Sequence, residues 1–327
     1  MADIIFEGRV YTCQPGESVL DALIRQGCEI ASGCRAGVCQ ACVLLMDEQE
    51  LARGCQQGLS PAQQKLNHFF ACQCRPDATV HVRRPANAGG RVSGILRCRE
   101  QVAPDIYRLF IAAQMDYQPG QYVTIFKDQT TGRSYSLASH PEESSSGERL
   151  LELHIKQHES GALSPWLCHD LQPGESVSLL GPMGNCIYSA NPQQPLLLAG
   201  IGTGLAPLLG VLKDALHHQH QASINVLVGA TEPSGLYCTE QLLGLAAAHA
   251  NLQVEFLIQN NRNNQALDPA AREADIYQYC AENFPDLKGY GVYLCGAESF
   301  VGKMRKQCFL GGAAMADIST DAFIVFG

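Results

Sequence analysis

The sequence predicts a multidomain chain of mixed α+β and α/β class, and three observations predict it. Fifteen cysteines are spread over 327 residues, and eight of them fall within the first 90. The middle of the chain is a succession of short β-rich runs broken by turn signals such as Gln118-Pro119-Gly120 and Gln172-Pro173-Gly174. The final third alternates apolar strands with helices, the pattern of a parallel sheet covered on both faces. A chain of this length exceeds one ordinary core and suits two or three domains of ~100–150 residues. With 46% hydrophobic and 17% charged residues it is globular in composition. A net charge of −9 argues against a nucleic-acid partner, which asks for a basic surface.

Residues 1–84 make the first unit. IIFEGRVYTC alternates loosely and reads as a hairpin. SVLDALIRQG reads as an amphipathic helix with Ser18 as N-cap and Gly27 as its stop. ACVLLM and TVHVR follow as strands, and RRPANAGG reads as a linker, set at 85–90, because it offers nothing to bury. Residues 91–190 hold the runs RVSGILRCREQVAP, IYRLFIAA, QYVTIF, SYSLAS, LLELHIK and SVSLLGP, with one helix near ALSPWLCHDL; SSSG (144–147) is a loop. Strands at this spacing suggest an antiparallel barrel or sandwich. Residues 191–327 carry the strands PLLLAG, INVLVGA, VEFLIQN, GVYLCG and ISTDAFIVFG. Between them lie the helices APLLGVLKDALHHQ, TEQLLGLAAAHA, IYQYCAENF and SFVGKMRKQCFL.

The start MADIIFEGRVYTC lacks a basic segment followed by an apolar one, so no signal peptide is expected. The odd cysteine count fits the reducing cytoplasm. The uncharged piece PLLLAGIGTGLAPLLGVL is 18 residues long, close to the ~20 of a membrane span. Gly200, Gly202, Gly204 and Pro207 break any such helix near its middle. A buried strand, a glycine turn and a helix are expected instead, with no membrane span.

The most specific motif is Ser32-Gly33-Cys34-Arg35-Ala36-Gly37-Val38-Cys39-Gln40-Ala41-Cys42. Its C-x4-C-x2-C spacing is that of plant-type [2Fe–2S] sites, whose ligands are thiolates. A fourth ligand must come from farther on, where Cys72 and Cys74 both stand. A zinc knuckle from Cys39, Cys42, Cys72 and Cys74 would need a wider second arm and would leave Cys34 unused. The segment resembles a plant-type ferredoxin domain. In that family the last ligand sits in sequences like Ala-Cys-Gln, and Ala71-Cys72-Gln73 matches; the resemblance therefore implies Cys34, Cys39, Cys42 and Cys72 as the ligands. Cys13, Cys28 and Cys55 read as small buried or surface residues.

In the middle unit the strand Gly132-Arg133-Ser134-Tyr135-Ser136-Leu137 is followed by His154-Ile155-Lys156, Gly161-Ala162-Leu163-Ser164 and Gly181-Pro182-Met183-Gly184. This order resembles the flavin barrel of the ferredoxin–NADP reductase superfamily. The resemblance implies FAD, with Arg133 forking onto a phosphate, Tyr135 against the flavin ring and Ser136 at its N5. The amides of Gly161, Ala162, Leu163 and Ser164 suit a pyrophosphate. Leu137, His154, Ile155 and Lys156 are carried over with them.

Gly200-Ile201-Gly202-Thr203-Gly204-Leu205-Ala206-Pro207 follows a strand and opens a helix, yet it departs from G-x-G-x-x-G at Pro207. It matches the G-x-G-x-A-P turn with which the same superfamily receives NAD(P), so Gly202, Thr203 and Gly204 are expected at the cofactor. Cys295-Gly296 ends a strand where that family puts a Cys-Gly beside the nicotinamide. Asp321 and Phe323 match an acidic residue and an aromatic near the flavin, although relatives more often carry Glu. Glu232 follows the second strand of this unit without a nearby base, which favours NADH over NADPH; Arg262 is the nearest basic candidate. His217, His218 and His220 read as a solvated helix end.

The resemblance covers nearly the whole chain. It implies a β-grasp ferredoxin, an antiparallel six-stranded flavin-binding β-barrel and a Rossmann-like parallel-sheet NAD domain. The chain is similar to reductase components of multicomponent oxygenases, of the benzoate dioxygenase and methane monooxygenase type. Ser136, Cys295 and Asp321 are the expected catalytic residues. Hydride from NADH would reach the flavin, and single electrons would pass to the cluster. A terminal oxygenase, or its ferredoxin, would accept them at the edge near Arg35 to Gln40. A reductase serving sugar-nucleotide deoxygenation, of the CDP-6-deoxyglucoseen reductase type, is the alternative.

Overall fold

The computed structural model describes residues 2–47, 54–59, 63–64, 67–85, 91–141, 149–261 and 267–324. The SSSG loop, Arg262 and linker residues 86–90 lie outside the described residues. Three sheets follow one another along the chain. The first contains β1 (Ala2–Phe6), β2 (Arg9–Cys13), β3 (Val43–Met46), β4 (His68–Phe70) and β5 (Val80–Arg83), in the order β2-β1-β5-β3-β4. Glu7 and Gly8 both take positive φ, 50° and 78°, which is what a two-residue hairpin turn needs between twisted strands. Helix α1 (Val19–Arg25) starts where the Ser18 hydroxyl accepts the Asp21 amide at 3.1 Å. It buries Val19, Leu20, Ala22 and Leu23 against Ile4, Phe69 and Phe70. The Cys-rich loop is thereby held between α1 and β3.

The second sheet contains β6 (Val92–Ala103), β7 (Ile106–Ala113), β8 (Tyr122–Phe126), β9 (Gly132–Ser136), β10 (Leu150–Lys156) and β11 (Ser176–Met183), in the order β10-β7-β6-β11-β8-β9. A bridge from Leu137, just past β9, to Leu153 on β10 closes it into a barrel. Inside lie Leu96, Leu109, Ile111, Ile125 and Leu151. The helix expected near ALSPWLCHDL is present and short: residues 164–165 are α-helical and run into a five-residue π-helix, Trp166–Asp170. Its Leu167 and Cys168 plug the barrel end.

The third sheet is parallel throughout and contains β12 (Leu196–Ile201), β13 (Ile224–Ala230), β14 (Leu252–Ile258), β15 (Ala271–Glu273), β16 (Gly291–Ala297) and β17 (Ile318–Phe323), ordered β15-β14-β13-β12-β16-β17. Helices α2 (Leu205–His217), α3 (Thr239–Ala248), α4 (Ile276–Asn283) and α5 (Glu298–Leu310) cover its faces. The strand order reverses at β12, so a crevice opens at the C-terminal ends of β12, β13 and β16. The uncharged stretch divides as expected into β12, a turn at Gly202–Gly204 and the start of α2. Among the described residues no helix is long and apolar enough to cross a membrane.

The first unit sits directly on the barrel. The Ser32 amide donates to the Thr130 carbonyl at 2.9 Å, and the Gly132 amide returns a bond to the Ser32 carbonyl at 3.3 Å. Gly33 permits that approach, since a Cβ there would come within 2.8 Å of the Gly132 carbonyl oxygen.

Candidate functional site

Cys34, Cys39 and Cys42 stand in the loop between α1 and β3, and Cys72, just past β4, comes up against Cys42. The amides of Ala36, Val38 and Cys39 point at the Cys34 sulfur at 3.4, 3.4 and 3.2 Å, and the Cys34 amide points at the Cys39 sulfur at 3.3 Å. The Cys39 thiol, with those amides, draws the Cys34 thiol down to about 5. The Cys42 thiol and the Gln73 side chain draw Cys72 down to about 7, while Cys39 and Cys42 are pushed up by their negative partners Cys34 and Cys72. Two thiol pairs wrapped in N–H donors are the donor set that a [2Fe–2S] cluster asks for. Cys74 faces the other way. Its thiol pairs with Cys55, with Cys13 nearby, in the core of the unit.

A cleft of about 1010 Å³ runs between barrel and parallel sheet. Its barrel wall presents Arg133, Tyr135, Ser136, His154, Lys156 and the segment Gly161–Ser164. Among the described residues the Arg133 side chain donates to the adjacent Gly132 carbonyl, at 2.9 Å, and has no ion pair with a carboxylate. A cation in this position suits a phosphate. Lys156, by contrast, is paired with Asp105 at 3.2 Å. The opposite wall presents Gly202, Thr203, Thr231, Glu232 and Tyr277, and Asp321 and Phe323 border the cleft from β17. The Ser136 hydroxyl donates to the Asp321 carboxylate at 2.6 Å. Burial pushes that carboxyl up to about 6, against the pull of the Ser136 hydrogen bond.

The glycines of the turn after β12 differ in purpose. Gly202 takes φ +54° with nothing within 4 Å of its Cβ position, so its backbone is bare toward the cleft. Gly204 is packed face to face with β16: a Cβ there would lie 2.2 Å from the Cys295 carbonyl oxygen. The residues present therefore fit a flavin nucleotide on the barrel wall and a dinucleotide at the Gly202 turn.

Several expected site residues stand back from the cleft. Leu137 and Ile155 are fully buried in the barrel core. Cys295 is fully buried too; its thiol lies 3.6 Å from that of Cys186, and its backbone supports Gly200 and Gly204. Gly296, at φ +135°, backs onto Ile201. His154 lines the cleft, but both its ring nitrogens are used, Nδ1 by Tyr237 at 2.9 Å and Nε2 by Glu152 at 3.0 Å. The three helix-end histidines do not share one environment: His217 and His218 are exposed, whereas His220 is buried with Nδ1 2.9 Å from the Tyr188 hydroxyl. Sequence reasoning missed Glu152, Lys213 and Tyr237. Glu152 binds Arg108 at 2.7 Å, Lys213 at 3.2 Å and His154, joining β10 to α2. It also missed Tyr122, which lines the cleft beside Cys34 and Val38.

Residues 4–77 match the 2Fe-2S iron-sulfur cluster binding domain, 94–188 the oxidoreductase FAD-binding domain and 197–306 the oxidoreductase NAD-binding domain. The chain belongs to the ferredoxin–NAD(P)H reductase superfamily. It is a flavin iron–sulfur oxidoreductase, with a [2Fe–2S] cluster, FAD and a nicotinamide nucleotide as its redox groups. The reductase is 29% identical over 311 residues to the aromatic O-demethylase reductase subunit of an Amycolatopsis species, covering 90% of each chain. It is 28% identical over 327 residues to the naphthalene 1,2-dioxygenase system ferredoxin–NAD(P)(+) reductase component of Pseudomonas putida, covering 96% of each. Its fold matches the crystal structure of the Amycolatopsis cytochrome P450 reductase GcoB with a TM-score of 0.68, at 26% identity over 99% of both chains. The ferredoxin reductase in carbazole 1,9a-dioxygenase shares the fold, with a TM-score of 0.66 over 98% of both chains.

Proposed function

We propose that this reductase takes electrons from NADH and delivers them one at a time to an oxygenase component, or to that component's ferredoxin, in the cytoplasm. One observation carries the proposal: Cys34 and Val38 of the cluster loop line the same cleft as Arg133, Ser136 and Gly202. When bound, the nicotinamide supplies a two-electron donor, the flavin a two-to-one-electron converter and the cluster a one-electron outlet. The chain's own residues bind and orient these groups. Arg133 holds a phosphate of FAD, Tyr135 flanks its ring, and the backbone of Gly161–Ser164 receives its pyrophosphate. Ser136, held by Asp321, presents its hydroxyl oxygen at the reacting edge, and Asp321 keeps a proton there up to about pH 6. Phe323 helps to keep water out. Gly202 and Thr203 receive the dinucleotide. NADH is favoured because Glu232 borders the cleft, and no Lys or Arg of the parallel-sheet unit lines it among the described residues. Cys34, Cys39, Cys42 and Cys72 hold the iron.

Electron delivery to a partner leaves by the side of the loop that the barrel does not cover, around Arg35 and Gln73, whose side-chain amide donates to the Arg35 carbonyl at 2.8 Å. The expected edge near Arg35 to Gln40 is thus narrowed, since Val38 and Cys39 turn toward the barrel. Anaerobic titration with NADH tests the proposal. Wild type bleaches at flavin and cluster and reduces a one-electron acceptor, whereas Cys39→Ser keeps flavin reduction and loses acceptor reduction. Loss of both activities in Cys39→Ser, or a preference for NADPH, would count against it.

A further inference from the structure

Two side chains of β8 grip the main chain of the cluster loop. The Tyr122 phenol donates to the Val38 carbonyl at 2.7 Å, and the buried Thr124 hydroxyl donates to the Cys39 carbonyl at 3.1 Å. Tyr122 and Thr124 are two apart on a strand, so both side chains leave the same face, the one turned toward the first unit. Gly184 leaves room for the tyrosine ring, since a Cβ there would come within 2.8 Å of it. The Thr124 oxygen also lies 3.0 Å from the Ser134 hydroxyl. A threonine hydroxyl has one proton, and that proton is committed to a carbonyl, so Ser134 must donate into Thr124. Ser134 and Tyr122 both line the cofactor cleft.

The tyrosine bond reaches further than its own contact. The Val38 carbonyl and the Cys39 amide belong to one peptide unit, and that amide points at the Cys34 sulfur at 3.2 Å. Phenol, peptide and sulfur therefore form a single chain of hydrogen bonds, in which donation to the carbonyl strengthens donation by the amide. A second amide, that of Val38, meets the same sulfur at 3.4 Å. The loop thus turns its N–H groups to the thiols and its carbonyls to the barrel.

We propose that Tyr122 and Thr124 are positioning residues for flavin-to-cluster electron transfer, a proposal that rests on the electron route given above. They fix the gap between the cleft and the cluster loop, and Tyr122 also stabilises negative charge at Cys34 through the Val38–Cys39 peptide. Thr124 lacks that second action, because its acceptor is the next carbonyl along.

The test uses the cofactor-loaded enzyme with Tyr122→Phe and Thr124→Val, mixed anaerobically with NADH. Flavin bleaching keeps its wild-type rate in Thr124→Val, and the later cluster bleaching slows roughly tenfold in each variant, the worth of one hydrogen bond. Two further readouts separate positioning from general damage. The cluster's reduction potential becomes more negative in Tyr122→Phe and stays put in Thr124→Val. Hydrogen exchange at the Ser32 and Gly132 amides, which tie the two units together, accelerates in both variants. Unchanged cluster bleaching and potential in Tyr122→Phe would overturn the proposal, as would equal slowing of both phases, which would mean a disturbed cleft. A wild type whose flavin does not bleach with NADH would overturn the route itself and the proposal with it.

Discussion

Asp321 is the single residue on which burial acts most usefully. Its carboxyl is raised to about 6 by burial, and the Ser136 hydroxyl partly offsets this by favouring the carboxylate. The sign follows directly. The native state keeps a proton between the ordinary carboxyl value near 4 and about 6, so the charged form appears only as pH rises past about 6. The rate of flavin reduction by NADH is expected to show an ionisation near pH 6 in wild type and none in Asp321→Asn. Ser136→Ala removes the bond that favours the carboxylate and should move the midpoint upward; stopped-flow rates between pH 5 and 8 decide both points. Cys72 and Cys74 give a second residue-scale prediction. Cys72→Ser should lose the visible absorption of the cluster, whereas Cys74→Ser should retain it and lose some stability, because the Cys74 thiol belongs to a buried pair with Cys55. Their spacing in sequence carried no such distinction, since two cysteines two apart can face opposite sides of a turn.

At the scale of elements, the turn after β12 separates two uses of glycine. Gly204→Ala drives a Cβ into the Cys295 carbonyl, which cannot yield without moving β16. Overpacking of this kind costs about 1–3 kcal/mol or more, so a clear fall in Tm is expected. Gly202→Ala meets no atom, but its φ of +54° costs an alanine about 1–2 kcal/mol. The fold should survive that change, and KM for NADH should rise severalfold as the methyl intrudes where a ligand approaches the backbone. Melting curves and KM values together check the contrast. The turn was legible in sequence as three glycines between an apolar strand and a helix, although it departs from the usual dinucleotide fingerprint. The strands were legible for the same reason: alternation marks β1 and β5, and unbroken apolar runs mark β12, β13 and β16. The three-residue β15 has no apolar run and joins the sheet edge only by pairing with β14. The short helix near ALSPWLCHDL was legible too; its π winding over Trp166–Asp170 and its use as a plug for the barrel were not.

At the scale of the whole molecule, the contacts between units were the least legible part, because they join residues far apart in the chain. Glu152 shows why. In sequence it is one polar position in an alternating strand; in the fold it meets Arg108 from the same barrel and Lys213 from the neighbouring unit, with side chains 4%, 20% and 9% exposed. Burial alone would push its carboxyl up, but His154, Lys213 and Arg108 overcome this and hold it well below the usual range. Stability from this cluster is therefore present above the unfolded carboxyl value near 4 and lost as pH falls below it. Glu152→Gln would take from two partly buried cations the carboxylate they share, and breaking such a group by removing one partner costs about 3–5 kcal/mol. Because Lys213 lies on α2, the loss should appear as a loosened barrel–sheet interface and a lower urea midpoint for the parallel-sheet unit. A second substitution, Lys213→Met, removes one of the two charges and should recover part of the loss. Urea denaturation of wild type, Glu152→Gln and the double variant measures this directly. Equal midpoints in the single and double variants would mean that Lys213 is solvated when Glu152 is gone, and that the joint between barrel and nicotinamide unit rests on apolar packing alone.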